Sequence, residues 1–342
     1  MTIEIPNYPK VKYEAHMQVP NQVQELINHP DLRQYKEYSI SRGHNRPKRN
    51  IQAPCDGLKE AQQWLLKKVL YRRFGWMCVH PACKGFMPNK SAKDAVMPHI
   101  AHNYILELDI KDFFPSITED LVAKFLRQVS MPNFIPHLTH DDIIKLICYK
   151  GHLPQGAPTS PFVSNLVMID ADALIQKVAI DFGMVYTRYA DDIVLSANWD
   201  GAGTRNEAKE TLRLVESKVQ EILSNYDLTL NSRKSKIVRP HQRQKILGIV
   251  VNEKLSVPRW IRKRIRARLH RCGQHLIEIK KMPAELVGLL AYVKSINEEQ
   301  WEVLVDHHTK HLAIARKSGI LGYINRAARR RGQQTNSLTM EI

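Results

Sequence analysis

The sequence predicts an α+β fold built around a split βαβ, ferredoxin-like unit. Three observations predict it. The middle of the 342-residue chain alternates in the order β-α-β-β-α-β. One strand pattern ends on Asp109, and a hairpin pattern carries Asp191 and Asp192 at its turn. In a split βαβ arrangement a strand end lies beside a hairpin turn, so Asp109 is expected next to Asp191.

Each element follows from its residues. QYKEYSISRGHNRPKRNIQAPCD, residues 34 to 56, reads as two short strands around a basic turn punctuated by Gly and Pro. GLKEAQQWLLKKVLYRRF reads as a helix, with Leu58, Ala61, Leu65, Val69 and Arg72 near one stripe. YILELDI, residues 104 to 110, alternates apolar and polar as a strand ending at Asp109. SITEDLVAKFLRQV opens a helix with Ser116 as N-cap and Glu119 three residues on, a capping box. Another helix is expected over 161 to 181, after GHLPQGAPTS. MVYTRYA and IVLSAN then flank the two aspartates as a hairpin. Residues 205 to 225 form an amphipathic helical pattern, and SKIVRP and ILGIVVN read as short closing strands. The composition shifts near residue 253, where a domain boundary is expected. From Arg259 to Arg271 seven of thirteen residues are Lys or Arg, and a second basic cluster, NRAARRRGQQ, lies farther on. The tail after about residue 333 is expected to fray.

The length allows two or three lobes. Lys and Arg number 51 against 34 Asp and Glu, a net charge of +17. That excess favours a polyanionic partner, nucleic acid first and an anionic membrane surface second. Residues 253 to 342 hold 18 Lys and Arg against 8 Asp and Glu, a net +10, so the charge is concentrated there. No apolar run approaches the roughly 20 residues that span a bilayer. MTIEIPNYPKVKYEAH lacks the pattern of a signal peptide. A cytoplasmic protein without a membrane partner is expected. The five cysteines are too few and too irregular for a disulfide framework. CVHPACKGF brings Cys78, His80 and Cys83 close in sequence, as a partial metal site would. No second cysteine pair stands at zinc spacing, so ordinary half-buried thiols are expected.

Adjacent carboxylates repel, and burying both is costly unless a cation sits between them. Two divalent ions about 3.5–4 Å apart can activate a 3′-hydroxyl and stabilise leaving pyrophosphate. Such a site needs carboxylates from different strands, and hard cations prefer oxygen ligands. Asp109 and Asp191 form the natural pair, with Asp192 as a looser third ligand. Taken alone, YADD also reads as a solvated turn.

Its neighbours add to this. LELDIKDFFPSI, GHLPQGAPTSPFVSNLVM, YTRYADDIVLS, LTLNSRKSKIVRP and ILGIVVN, in that order, resemble reverse transcriptases over roughly residues 35 to 252. The resemblance implies a right-hand polymerase. Its fingers would be residues 1–103, with 125–160 contributing, its palm 104–252 and its basic helical thumb 253–342. It implies catalytic aspartates at Asp109, Asp191 and Asp192, joined by Ile110 in holding two Mg2+ ions, with Mn2+ as a substitute. Phe114 matches the bulky residue that screens the sugar 2′ position and selects dNTPs. Core packing is its other reading, and Phe113 can exchange places with it. Gln155 and Gly156 match the loop lining the incoming nucleotide, or a helix-entry turn between Pro154 and Pro158. Lys234 matches a lysine near the leaving phosphate, able to act as a general acid, with Lys236 as a rival. Arg49 matches a fingers arginine that clamps the triphosphate, with Lys48 and Arg46 close by. Backbone groups of Lys111 and Asp112, beside Phe113, are expected to line the phosphates. ILGIVVN resembles the primer-grip hairpin, with Leu247 and Gly248 at its tip.

The minimal size, LDIKDFFPSI and LPQGAPTSP look like a bacterial retron reverse transcriptase. His99 keeps the histidine of an Asn-Ala-x-x-His element, with Ala95 and Val96 in place of Asn and Ala. Ile246, Leu247 and Gly248 stand where Val-Thr-Gly is usual, ahead of Val251 and Asn252. A divergent retron, another defence enzyme and a group II-intron-like enzyme stay open. A retron resemblance implies a structured non-coding RNA as template and primer, with a guanosine 2′-hydroxyl starting synthesis. The product would be single-stranded DNA joined to RNA (msDNA), made from dNTPs. A co-encoded effector protein and anti-phage defence are the implied context. Arg259, Arg262, Lys263 and Arg266 are expected to meet RNA through A-form phosphates and the shallow minor groove. Arg264 and Arg268 can be a solvated face, and Trp260 and Tyr292 either stack on bases or pack in the thumb core, with packing expected. A silent RNA-binding scaffold and a metal-dependent nuclease are the competing classes.

Overall fold

Strand β3 (Tyr104–Asp109) is the centre of the fold, because Ile105, Leu106 and Leu108 are all buried. The computed structural model describes residues 18–41, 48–75, 78–128, 138–199, 205–239, 241–274 and 284–309. Within it β3 lies between β5 (Asp192–Ala197) and β6 (Lys236–Val238), and β4 (Val185–Tyr189) flanks β5. All three pairings are antiparallel, in the order β4-β5-β3-β6. That is the split βαβ order: the first strand of the unit sits between its third and fourth. The strands read from YILELDI, MVYTRYA, IVLSAN and SKIVRP are those of this sheet.

Helices α5 to α9 connect β3 to β4. They are α5 (Phe113–Ser116), α6 (Glu119–Gln128), α7 (His140–Ile147), α8 (Ser160–Val167) and α9 (Ile169–Asp181). Helix α10 (Arg205–Ser224) connects β5 to β6 and buries Leu212, Val215, Val219 and Leu223 at helical spacing. Two expectations are corrected here. The capping box at Ser116 does not form. Ser116 ends the single turn of α5, and its hydroxyl donates to the Lys111 carbonyl at 2.9 Å. Thr118 Oγ1 instead accepts the Leu121 N–H at 3.3 Å, because the chain bends at Ile117 to pair with Leu153. The single helix expected over 161 to 181 is two, divided at Met168.

Ahead of the sheet, α1 (Asn21–Asn28) precedes a hairpin of β1 (Tyr35–Ile40) and β2 (Arg49–Pro54). Its register runs from Tyr35↔Pro54 to Ile40↔Arg49. The turn between them, with Arg46, lies outside the described residues. Helix α2 (Asp56–Trp64) continues through a π-helical stretch, Leu65–Leu70, into α3 (Tyr71–Phe74). Leu58, Ala61, Leu65 and Val69 are buried as the stripe predicted, and α4 (Ala92–Val96) follows.

The described residues form two compact units. One takes those up to Pro98 and Asn103–Arg239; the other takes His99–His102 and those beyond Arg239. In the second, Ala101 N–H donates to the Val251 carbonyl at 3.0 Å, and Gln244 Nε2 donates to the His102 carbonyl at 2.7 Å. It holds the hairpin β7 (Lys245–Ile246) and β8 (Ile249–Val250), then α11 (Arg259–Gln274), α12 (Ala284–Ile296) and α13 (Glu298–Thr309). Ile261, Ile265, Leu269, Leu286, Leu290 and Trp301 are among its buried side chains. NRAARRRGQQ and the tail expected to fray lie outside the described residues. Among the described residues, no helix is long and apolar enough to cross a membrane.

Candidate active site

The sheet register brings the three aspartates together. Asp109 stands opposite Asp192 in the β3–β5 pairing. Asp191 sits in the β4–β5 turn after Ala190, whose φ is +57°. Ile110 N–H donates to the Asp191 carbonyl at 2.9 Å, tying the exit of β3 to the turn. Lys234 Nζ donates to both oxygens of Asp109, at 2.9 and 2.7 Å. Asn231 Nδ2 adds a longer bond to Asp109 Oδ1 at 3.3 Å, and Asn231 N–H donates to the Asp109 carbonyl at 2.8 Å. Lys236, the rival lysine, is exposed on β6 opposite Glu107.

The electrostatics follow from crowding. Burial, then the charges of Asp191, Asp109 and Glu107, push the Asp192 carboxyl up to about 7, against the pull of Lys234. Asp191 is also raised, first by burial; its own backbone hydrogen bond and the Lys234 and Arg49 charges oppose this, while Asp109 adds to it. Among the described residues, no three carboxylate, imidazole or thiolate side chains are gathered as ligands of one ion. Lys234 holds Asp109 instead. The donor chemistry still fits a hard divalent cation, since the three aspartates offer carboxylate oxygens whose mutual repulsion a cation relieves.

A second corner joins β2 to the loop before α8. With the Gln155 amide oxygen turned toward Arg49, it accepts from Nη2 and Nε, both at 2.9 Å. Its NH2 then donates to the Asn50 carbonyl at 3.1 Å, and Gln52 N–H donates to the Gln155 carbonyl at 2.9 Å. Gly156 has φ +140°, and a Cβ there would stand 2.9 Å from the Gln52 oxygen. Glycine is therefore what lets this loop meet β2.

The adjacent phenylalanines are now told apart. Phe113 belongs to the core, at 5% exposure. Phe114 is half-buried, its ring 5.6 Å from Phe113 and 5.9 Å from Phe86. Asp112 is exposed in the left-handed region at φ +45°. The Lys111 N–H, expected to line the phosphates, is corrected: it donates to the Thr229 carbonyl at 2.9 Å.

A family model described as reverse transcriptase (RNA-dependent DNA polymerase) matches residues 44–251. The Retron Ec86 reverse transcriptase of Escherichia coli is 32% identical over 288 residues, 83% of each chain. The chain belongs to the retron reverse transcriptases. It is an RNA-directed DNA polymerase by membership of that family. The Retron Mx65 reverse transcriptase of Myxococcus xanthus is 32% identical over 79% of this chain and 66% of its own. A solved telomerase from Candida albicans, in complex with a telomeric RNA fragment, covers 90% of this polymerase and 61% of that chain at 12% identity. Its TM-score is 0.45.

The remaining expected residues of this reverse transcriptase lie in the second unit. Leu247 (φ +49°) and Gly248 (φ +85°) form the two-residue turn of the β7–β8 hairpin, both left-handed as such a turn requires. His99, expected to meet RNA, is corrected: it is fully buried, and burial, helped by His102, pushes its imidazole down to about 3. It packs as a neutral ring. On α11, Arg259, Lys263 and Arg266 are exposed and Arg262 is half-buried. Burial and the charges of Arg266, Arg243 and Arg259 lower the Arg262 pKa, and its buried Nε has no hydrogen-bond partner. Arg264 and Arg268 both pair with Glu285, at 2.5 and 2.7 Å. Trp260, expected to pack, is corrected: it is exposed. Sequence reasoning missed Asn231, Glu107 and Arg243. Of these only Asn231 left a local signal, three residues before Lys234 in LNSRKS.

Proposed function

We propose that this polymerase copies part of a structured non-coding RNA into single-stranded DNA, starting from an RNA 2′-hydroxyl and leaving a branched RNA–DNA product. The observation that carries the reading is the convergence of Asp109, Asp191, Asp192 and Lys234 in one corner of the sheet. Asp109, Asp191 and Asp192, with the backbone of Ile110, would hold two Mg2+ ions, or Mn2+ in their place. Divalent cations so held lower the pKa of an attacking hydroxyl and neutralise a leaving pyrophosphate.

The chain's own residues supply the rest. Lys234 already lies against Asp109, where it can pass a proton to the leaving phosphate. Arg49 grips the triphosphate while Gln155 holds its guanidinium in place. Phe114, free of the core, closes the space a ribose 2′-hydroxyl would need. Asp112, Phe113 and Gly156 shape the nucleotide pocket around these groups. Leu247 and Gly248 form the tip of the primer grip. Arg259, Arg262, Lys263 and Arg266 bind RNA phosphates. In this reading residues 1–103, with 125–160, are fingers, 104–252 palm and 253–342 thumb. The reaction runs in the cytoplasm, as part of anti-phage defence with a co-encoded effector.

The test is the nucleic acid that the protein carries when purified from its own host. RNase, DNase and debranching treatment, followed by sequencing, should reveal short DNA joined to RNA through a 2′–5′ bond. RNA alone, or unbranched DNA, would contradict the branched-product reading.

A further inference from the structure

The loop from His80 to Phe86 lies in the stretch CVHPACKGF, and none of its side chains belongs to the proposed polymerase centre. It packs behind the aspartate hairpin. Arg188 N–H donates to the Ala82 carbonyl at 2.9 Å, and Lys84 N–H donates to the Arg188 carbonyl at 2.8 Å. Cys83 thus lines up beside Arg188 as a single parallel bridge. Gly85 presses on the turn itself: a Cβ there would fall 2.3 Å from Ala190 N and 3.0 Å from the Tyr189 carbonyl carbon. Asn165 Nδ2 donates to the Gly85 carbonyl at 2.9 Å and holds the loop in that place. At the loop's end, Phe86 backs Phe114.

Arg188 runs through the middle of this wall and is fully buried. Its Nε and Nη2 donate to the two oxygens of Asp172, at 2.7 and 2.6 Å. Tyr186 Oη donates to the same carboxylate at 2.6 Å. Those contacts satisfy the buried charge. The third arm of the guanidinium, Nη1, reaches Asn165 Oδ1 at 3.2 Å and the Ala190 carbonyl at 3.1 Å. Ala190 is the left-handed residue immediately before Asp191. A non-glycine residue keeps that conformation only where its surroundings over-determine it. Here a hydrogen bond from Arg188 and the close face of Gly85 do so from two sides.

We infer that Arg188, anchored by Asp172 and backed by Gly85, is a positioning residue that fixes the Ala190–Asp191 turn and so the reach of the Asp191 carboxylate. The inference rests on the polymerase reading of that carboxylate. A planar fork suits the task, because it holds an acid and a carbonyl at once. A lysine would keep the charge opposite Asp172 but has no rigid third arm.

The experiment uses the full chain, with single-turnover dNTP incorporation on an RNA template and annealed primer while Mg2+ is titrated. In Arg188→Lys, the rate at saturating dNTP should fall about 10- to 100-fold, the cost of misplacing a reacting group by roughly an ångström. The Mg2+ concentration for half-maximal rate should rise while template–primer affinity stays near wild type. Gly85→Ala perturbs the same turn without touching the buried charges, and should shift the rate and the Mg2+ midpoint in the same direction. Wild-type rate and Mg2+ dependence in both variants would overturn the inference. So would an equal loss of rate and template–primer affinity, which marks a fold defect. An inert wild-type protein would instead overturn the polymerase reading beneath it.

Discussion

Phe113 and Phe114 are chemically identical and differ only in what surrounds them. Phe113 fills the core, so Phe113→Ala should cost about 3–5 kcal/mol of stability, read by chemical denaturation. Phe114 is half-buried, so Phe114→Ala should leave the fold in place and relax sugar choice. The preference for dNTP over rNTP, measured as a ratio of kcat/KM, should fall about 10- to 200-fold, the usual worth of a small steric difference. An unchanged ratio would remove Phe114 from the sugar pocket. The pairing of Asp109 with the hairpin was legible in the sequence, because strand alternation and the two aspartates fixed which ends meet. The fates of Phe113 and Phe114 were not, since both residues of a one-turn helix look equally apolar. Glu107 acts on Asp192, and Arg188 is anchored by Asp172 and Asn165, all distant in the chain, so local pattern carries no trace of those pairings.

At the scale of elements, the loop before α8 is joined to β2 through a backbone that only glycine allows. Gly156→Ala puts a side chain 2.9 Å from the Gln52 oxygen at a φ that disfavours it. The variant should lose about 1–3 kcal/mol of stability and bind dNTP more weakly, because the Arg49–Gln155 corner opens. Helix α11 gives a second test. Arg264 is already paired with Glu285, whereas Arg262 sits among Arg243, Arg259 and Arg266. Arg262→Gln should lower the slope of log affinity for RNA against log salt by about 1, and Arg264→Gln should change it far less. Equal slopes for the two variants would contradict the assignment. The basic run was plain in the sequence. Which of its arginines are neutralised was not, because Glu285 lies on a different helix.

For the molecule as a whole, burial of His99 links stability to pH. The folded imidazole is held near 3, while an unfolded one takes a proton near 6.5. The unfolded state therefore binds the extra proton between those values. The contribution is complete above about pH 6.5 and is lost as pH falls toward 3, by up to about 1.4 kcal/mol per pH unit. Denaturation midpoints at pH 7 and pH 5 should differ in this direction, and His99→Gln should shrink the difference. At this scale the strand order of the sheet was legible from the order of patterns along the chain. The association of His99–His102 with the second unit was not, because it depends on hydrogen bonds to Gln244 and Val251 far along the sequence.

We propose that Asp109, Asp191 and Asp192 form the polymerase centre of this chain. Primer extension with dNTPs on an RNA template, comparing wild type with Asp191→Asn and measuring RNA affinity in parallel, tests it most directly. Incorporation by wild type, its loss in Asp191→Asn and nearly unchanged RNA binding are the expected results. Undiminished incorporation by Asp191→Asn, or loss of incorporation and RNA binding to the same degree, would contradict it.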